Sequence, residues 1–211
     1  VGTVFNREEL DRFAQWTLER DLYVCSDEIH CDLLLEPGLE HIPLASIGPE
    51  IADRTITLMA PSKTFNLPGF GCSFAIISNG ELRRKFKKAI SGIVPDPPAM
   101  GFTLAETAYR TGEPWRLELL GYLKGNRDYA LEELGRITGL TAYSPEATYL
   151  MWIDARELPV ENAHSFLEKA GVGLSDGKDF GSPGFLRMNL GCSRDLLTQA
   201  LERMTVACKD L

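Results

Sequence analysis

Apolar positions along this chain follow two rhythms, a helical one near 3.6 residues and short continuous runs of strand length. Leu10, Phe13, Ala14 and Leu18 recur at helical spacing behind Asn6. Glu9 stands three places after Asn6, a capping-box arrangement, and the pattern predicts a helix as far as Arg20. Residues 22–29 begin apolar and turn polar at Ser26, Asp27 and Glu28. Residues 55–60 are rich in β-branched side chains and stop at Pro61-Ser62-Lys63, and residues 71–78 are nearly all apolar. Runs that are apolar on both faces predict strands buried within a parallel or mixed sheet. Asn79 caps a basic helix to about Ile90, the Pro-rich residues 92–101 read as a loop, and helix resumes from about Phe102 to Arg110.

A long helical pattern then runs over residues 114–137, with Trp115, Leu119, Leu120, Leu123, Tyr129, Leu131 and Leu134 as its apolar stripe. Beyond it the predicted elements are strands at 141–143 and 148–153, a helix at 160–170, strands at 172–174 and 185–190, and a helix opened by Ser193. The fold class is therefore α/β up to about residue 118, followed by a smaller α+β piece over 119–211, with the long helix shared between the two.

Composition narrows this picture. Apolar residues make up 44% and charged residues 25%, as in globular proteins, and the net charge of −8 argues against nucleic acid or an anionic membrane as a partner. No run approaches the roughly 20 apolar residues of a membrane-spanning helix. Five scattered cysteines (Cys25, Cys31, Cys72, Cys192, Cys208) suit free thiols and a reducing, cytoplasmic compartment better than a disulfide framework.

In open α/β sheets, functional groups gather at the carboxyl ends of strands. The first predicted strand delivers Asp27, Glu28 and His30 to that edge, and the second delivers Ser62 and Lys63. A lysine on one strand end and a carboxylate on another are what pyridoxal phosphate needs: an amine for its aldehyde and an anion for its ring nitrogen. On spacing alone, Lys63 reads more readily as a surface lysine, and Asp27 with Glu28 as a turn or an exposed strand end. His30, Cys31 and Asp32 are no metal site, because neighbouring strand residues face opposite ways and no second ligand cluster exists.

The segments Ser26-Asp27-Glu28-Ile29-His30-Cys31-Asp32-Leu33 and Ala60-Pro61-Ser62-Lys63-Thr64-Phe65-Asn66-Leu67-Pro68-Gly69 together resemble the class I/II aminotransferase superfamily of fold-type I pyridoxal-phosphate enzymes. The resemblance is to its carbon–sulfur lyase branch in particular. It continues through Leu174-Ser175-Asp176-Gly177 and Phe185-Leu186-Arg187-Met188-Asn189-Leu190-Gly191-Cys192 and covers nearly the whole chain.

The resemblance implies a role for each of five residues. Lys63 is the lysine that bonds the cofactor and later moves the substrate Cα proton. Asp27 partners the pyridine nitrogen, His30 lies near the phenolic oxygen, and Ser62 contacts the phosphate. Arg187 grips the substrate α-carboxylate, where a bidentate guanidinium is the natural choice. Bland readings of three of these stand beside the resemblance: Arg187 as a solvent-facing strand residue, Ser62 as a turn former, His30 as a structural histidine.

The implied activity is β-elimination on a sulfur amino acid (cystathionine or a cysteine S-conjugate). Transamination and a non-catalytic fragment are the alternatives. The resemblance further implies a homodimer at full length, and a chain corresponding to the C-terminal part of longer family members. Residues 1–118 would then be part of the cofactor-binding large domain. No phosphate-cradling glycine loop or phosphate arginine is evident near Lys63.

Overall fold

Asn6 opens the first helix through the capping box its sequence predicts. Its side chain accepts from Glu9 N at 3.0 Å, and its own N–H donates to the Glu9 carboxylate at 2.9 Å. The computed structural model describes residues 2–209 and 211. It divides into two units. One comprises Val4–Leu34 and Gly38–Leu117; the other comprises Val1–Thr3, Leu35–Pro37 and Glu118–Leu211.

The first unit contains, in chain order, α1 (Arg7–Glu19), β1 (Val24–Asp27), α2 (Pro49–Ala52), β2 (Thr55–Met59), α3 (Pro61–Thr64), β3 (Phe74–Ile76), α4 (Gly80–Ile90) and α5 (Ala99–Thr111). The start of α6 (Glu113–Leu134) also belongs to it. Its sheet has the order β1-β2-β3, with β1 parallel and β3 antiparallel to β2. The link from β2 to β3 holds only one turn of α-helix and one of 3-10 helix, too little for a helical crossover, so the chain reverses. Leu10 and Ala14 of α1 pack with Leu44 and Ile51 to form this unit's buried cluster.

Three expectations fail here. The strands are shorter than the apolar runs, and they are not buried on both faces. β1 alternates between half-buried and exposed, and Phe74 and Ile76 of β3 lie exposed. Both strands are edges of a three-stranded sheet, so each lacks a neighbour on one side. The helix predicted from Phe102 begins earlier, at Ala99, directly after the prolines.

The second unit holds most of α6, then β4 (Thr141–Tyr143), β5 (Leu150–Asp154), α7 (Ala163–Lys169), β6 (Ser175–Asp176), β7 (Phe185–Asn189) and α8 (Arg194–Cys208). Its sheet runs β4-β5-β7-β6 and every pairing is antiparallel. Residues from β5, β7, α6, α7 and α8 close one continuous apolar core that includes Met151, Ile153, Leu186, Leu197 and Leu201.

The face that α6 buries overlaps the predicted stripe only in part, with Leu123 and Leu134 common to both and Tyr129 and Leu131 packed against the core. Leu123, Asn126, Arg127, Ala130 and Leu134 are buried, whereas Trp115 is exposed. The period is helical, but two polar side chains occupy it. Asn126 donates to Leu190 O (2.9 Å) and Cys192 O (3.0 Å), and Arg127 pairs with Glu36 and Asp128 and donates to Pro145 O. The strand predicted at 172–174 forms instead at Ser175–Asp176, because Val172 N bonds Leu167 O and closes the end of α7. No helix among the described residues is long and apolar enough to cross a membrane.

Candidate active site

β1 and β2 run side by side in the same direction, with Asp27 in register with Leu58. Asp27 is the last residue of β1. Lys63 follows the end of β2 by four residues, so both groups leave the same carboxyl edge of a parallel pair. Pro61 opens α3 at its first helical position, where a missing N–H costs nothing. The single turn ends at Asn66, which adopts the left-handed conformation (φ 53°) that asparagine tolerates better than most residues. Ala60, Pro61 and Thr64 are buried and anchor the turn, while Ser62 and Lys63 are half-buried. Thr64 Oγ1 donates to Asp32 Oδ2 at 3.3 Å, tying α3 to the segment after β1. Arg116, held by Glu113, donates to Asp32 O at 2.8 Å and fixes that segment from α6.

Among the described residues the Lys63 amine has neither a hydrogen bond nor an ion pair. Asp27 Oδ1 accepts only a long bond from Ile29 N (3.4 Å). An uncommitted amine and an uncommitted carboxylate on adjacent parallel strand ends suit a cofactor with an aldehyde and a basic ring nitrogen. His30 lies half-buried in the turn after β1 rather than in a strand, and its carbonyl accepts from Leu33 N. Next to it, burial and then the carboxylates of Asp32 and Glu28 push the Cys31 thiol up to about 12, which makes it a poor nucleophile near neutral pH. The five cysteines are all free, and none is fully buried. No three His, Cys, Asp or Glu side chains gather as a metal site among the described residues.

Arg187 belongs to the second unit. On β7, Leu186 and Met188 point into the core, and Phe185 and Arg187 alternate onto the outer face. There the Arg187 guanidinium lies 4.4 Å from the Phe180 ring centroid, and Trp152 stacks on Phe185 with ring centroids 5.7 Å apart. The Arg187 guanidinium also donates a 3.4 Å bond to Ser175 Oγ. Arg187 forms no ion pair among the described residues. The aromatic ring steadies the guanidinium while its N–H edges remain available to a carboxylate.

The family model "Aminotransferase class I and II" matches residues 1–204. The chain belongs to this family. Its curated relatives include the cystathionine beta-lyase PatB of Bacillus subtilis (strain 168), 35% identical over an alignment of 217 residues that covers 98% of this chain and 55% of PatB. Among solved structures, OvoB is 48% identical with a TM-score of 0.97, over all of this chain and 55% of that one. Cystalysin from Treponema denticola, solved with pyridoxal 5'-phosphate, is 34% identical with a TM-score of 0.93, over 99% of this chain and 55% of that one. The mixed α/β architecture is thus the class I and II aminotransferase fold, and the chain spans about half the length of the curated relatives it matches.

Glu28, which follows Asp27, and its partner His41 carry more structure than their sequence signal suggests. Glu28, 6% exposed, accepts from Ser26 Oγ (2.9 Å) and Leu44 N (3.2 Å), and its other oxygen meets His41 Nε2 at 2.7 Å. Burial disfavours its charge, but the donors from His41, Ser26 and Leu44 outweigh burial and hold the carboxyl below its ordinary 4.5. The only trace in the sequence is an acid next to Asp27. Nothing about His41 marks it as that acid's partner.

Proposed function

We propose that this chain carries the cofactor lysine of a pyridoxal-phosphate enzyme that eliminates a thiol from Cβ of a sulfur amino acid such as cystathionine. The observation that carries the reading is Lys63, its amine uncommitted, beside Asp27 on the neighbouring parallel strand end. Lys63 Nζ and the Asp27 carboxylate would hold the cofactor, with Ser62 Oγ near its phosphate and His30 near its phenolic oxygen. When bound, the cofactor supplies a sink for the electron pair left at Cα. Lys63 Nζ takes the Cα proton, and Asp27 keeps a proton on the ring nitrogen. Arg187 holds the α-carboxylate and so orients the substrate. Overall, cystathionine and water give homocysteine, pyruvate and ammonia.

The relative named a cystathionine beta-lyase supports elimination. The family's own description supports the second reading, transfer of the amine to a keto acid. A homodimer is proposed from the family resemblance, and a cytoplasmic setting from the free cysteines. The deciding experiment supplies L-cystathionine to the protein loaded with pyridoxal phosphate and follows pyruvate and thiol. Equal release of both without any keto acid is expected. Turnover that requires a keto acid and yields no thiol would assign the protein to transamination instead.

A further inference from the structure

Asp27 has almost nothing of its own to hold it in place, with one 3.4 Å bond from Ile29 N. Its neighbours are fixed far more firmly. Successive strand residues point to opposite faces, so Ser26 and Glu28 share one face and Asp27 takes the other. Ser26 Oγ is bonded to the Glu28 carboxylate, and Glu28 N donates to Leu58 O at 3.0 Å, one residue past the last β1–β2 pair. The same carboxylate receives His41 Nε2 and Leu44 N, from a stretch 13 to 16 residues further along the chain. Leu44 is 4% exposed and belongs to the cluster formed with α1 and α2. Through this acid, then, the end of β1 is clamped to the packed body of the first unit on the face away from Asp27.

We propose that Glu28 and His41 are a positioning pair, which fixes the rotation of the β1 end and thereby the aim of the Asp27 carboxylate. The inference rests on Asp27 being the partner of the cofactor's ring nitrogen. The pair touches neither cofactor nor substrate; it acts by removing backbone freedom from the residue between its anchors. A buried carboxylate with three donors is a costly arrangement to keep for loop stability alone, since an apolar side chain of similar volume could fill the same space without desolvating a charge.

The test loads the protein with pyridoxal phosphate labelled with 15N in the ring and reads that nitrogen by NMR. The variants are Asp27→Asn, Glu28→Gln and His41→Ala, and thermal unfolding of each is followed without cofactor. Asp27→Asn should move the signal furthest toward neutral pyridine. Glu28→Gln and His41→Ala should move it part of the way, and the dissociation constant for pyridoxal phosphate should rise about tenfold. Should either variant unfold, Ser26→Ala removes one donor without stranding a charge and should give a smaller shift of the same sign. If Asp27→Asn moves the signal while the folded pair variants leave it at the wild-type position, the positioning role is wrong. If Asp27→Asn itself moves nothing, the assignment of Asp27 fails, and the inference with it.

Discussion

Lys63 is the residue on which the proposed function chiefly depends. Its neighbours Pro61 and Asn66 make sense only as the start and stop of a single helical turn set on a strand end. Borohydride reduction of the loaded protein followed by peptide mapping should place the cofactor on Lys63. A label on Lys85, Lys87 or Lys88 of the exposed α4 would end the assignment. Arg187 was legible as a residue type and as a strand position. What spacing could not show is the ring of Phe180 under its guanidinium, since that contact joins positions in different elements. Arg187→Lys loses both the bidentate fork and the ring contact. Losing one charged hydrogen bond, about 1.5–3 kcal/mol, should raise the apparent KM for an amino-acid substrate by roughly 10- to 150-fold while leaving the melting temperature near wild type. Unchanged kinetics would make Arg187 an ordinary outer-face residue.

At the scale of elements, local signals read well and tertiary ones did not. The caps at Asn6, Asn79 and Ser193 are all formed, because a cap depends on residues three or fewer positions away. The buried face of α6 was read only in part, because Asn126 and Arg127 find their partners in Glu36, Pro145, Leu190 and Cys192, and no local pattern announces them. Asn126→Ala would strand the buried Leu190 carbonyl and the half-buried Cys192 carbonyl at about 1–3 kcal/mol each, and should lower the stability to urea by about 2–6 kcal/mol in all. A loss below about 0.5 kcal/mol, within the range of neutral surface changes, would mean that water or a backbone shift replaces the side chain. The β1 end offers a pH test. Glu28 titrates below 4.5 in the folded chain, so the stability it contributes is present above that pH and is lost as pH falls through the lowered value. Wild type should therefore lose more stability than Glu28→Gln on acidification below 4.5. Parallel losses would show that the three donors do not favour the charged form.

At the scale of the whole molecule, the two units differ in how much apolar surface they enclose. Among the described residues, the cluster of the second unit has 17 buried members, and that of the first unit has four. Stability within a protein follows local burial, so regions with few enclosed side chains open at lower free energy than a continuous core. Parts of the apolar runs that predicted well-buried strands in the first unit stay exposed, Phe74 and Ile76 among them, although Ala60 and Ile77 are buried. Hydrogen exchange measured peptide by peptide on the 211-residue chain should therefore show the slowest amides in β5, β7 and α8 and much faster exchange in β1, β3 and α4. Because Lys63 and Asp27 lie in the weakly enclosed unit, pyridoxal phosphate should slow exchange most in the turn after β1 and in α3, by an amount set by its concentration relative to its dissociation constant. Equal protection of the two units without ligand would show that the count of buried side chains does not rank their stabilities. Protection by pyridoxal phosphate confined to β5, β7 and α8 would show that the cofactor is held by residues other than Lys63 and Asp27.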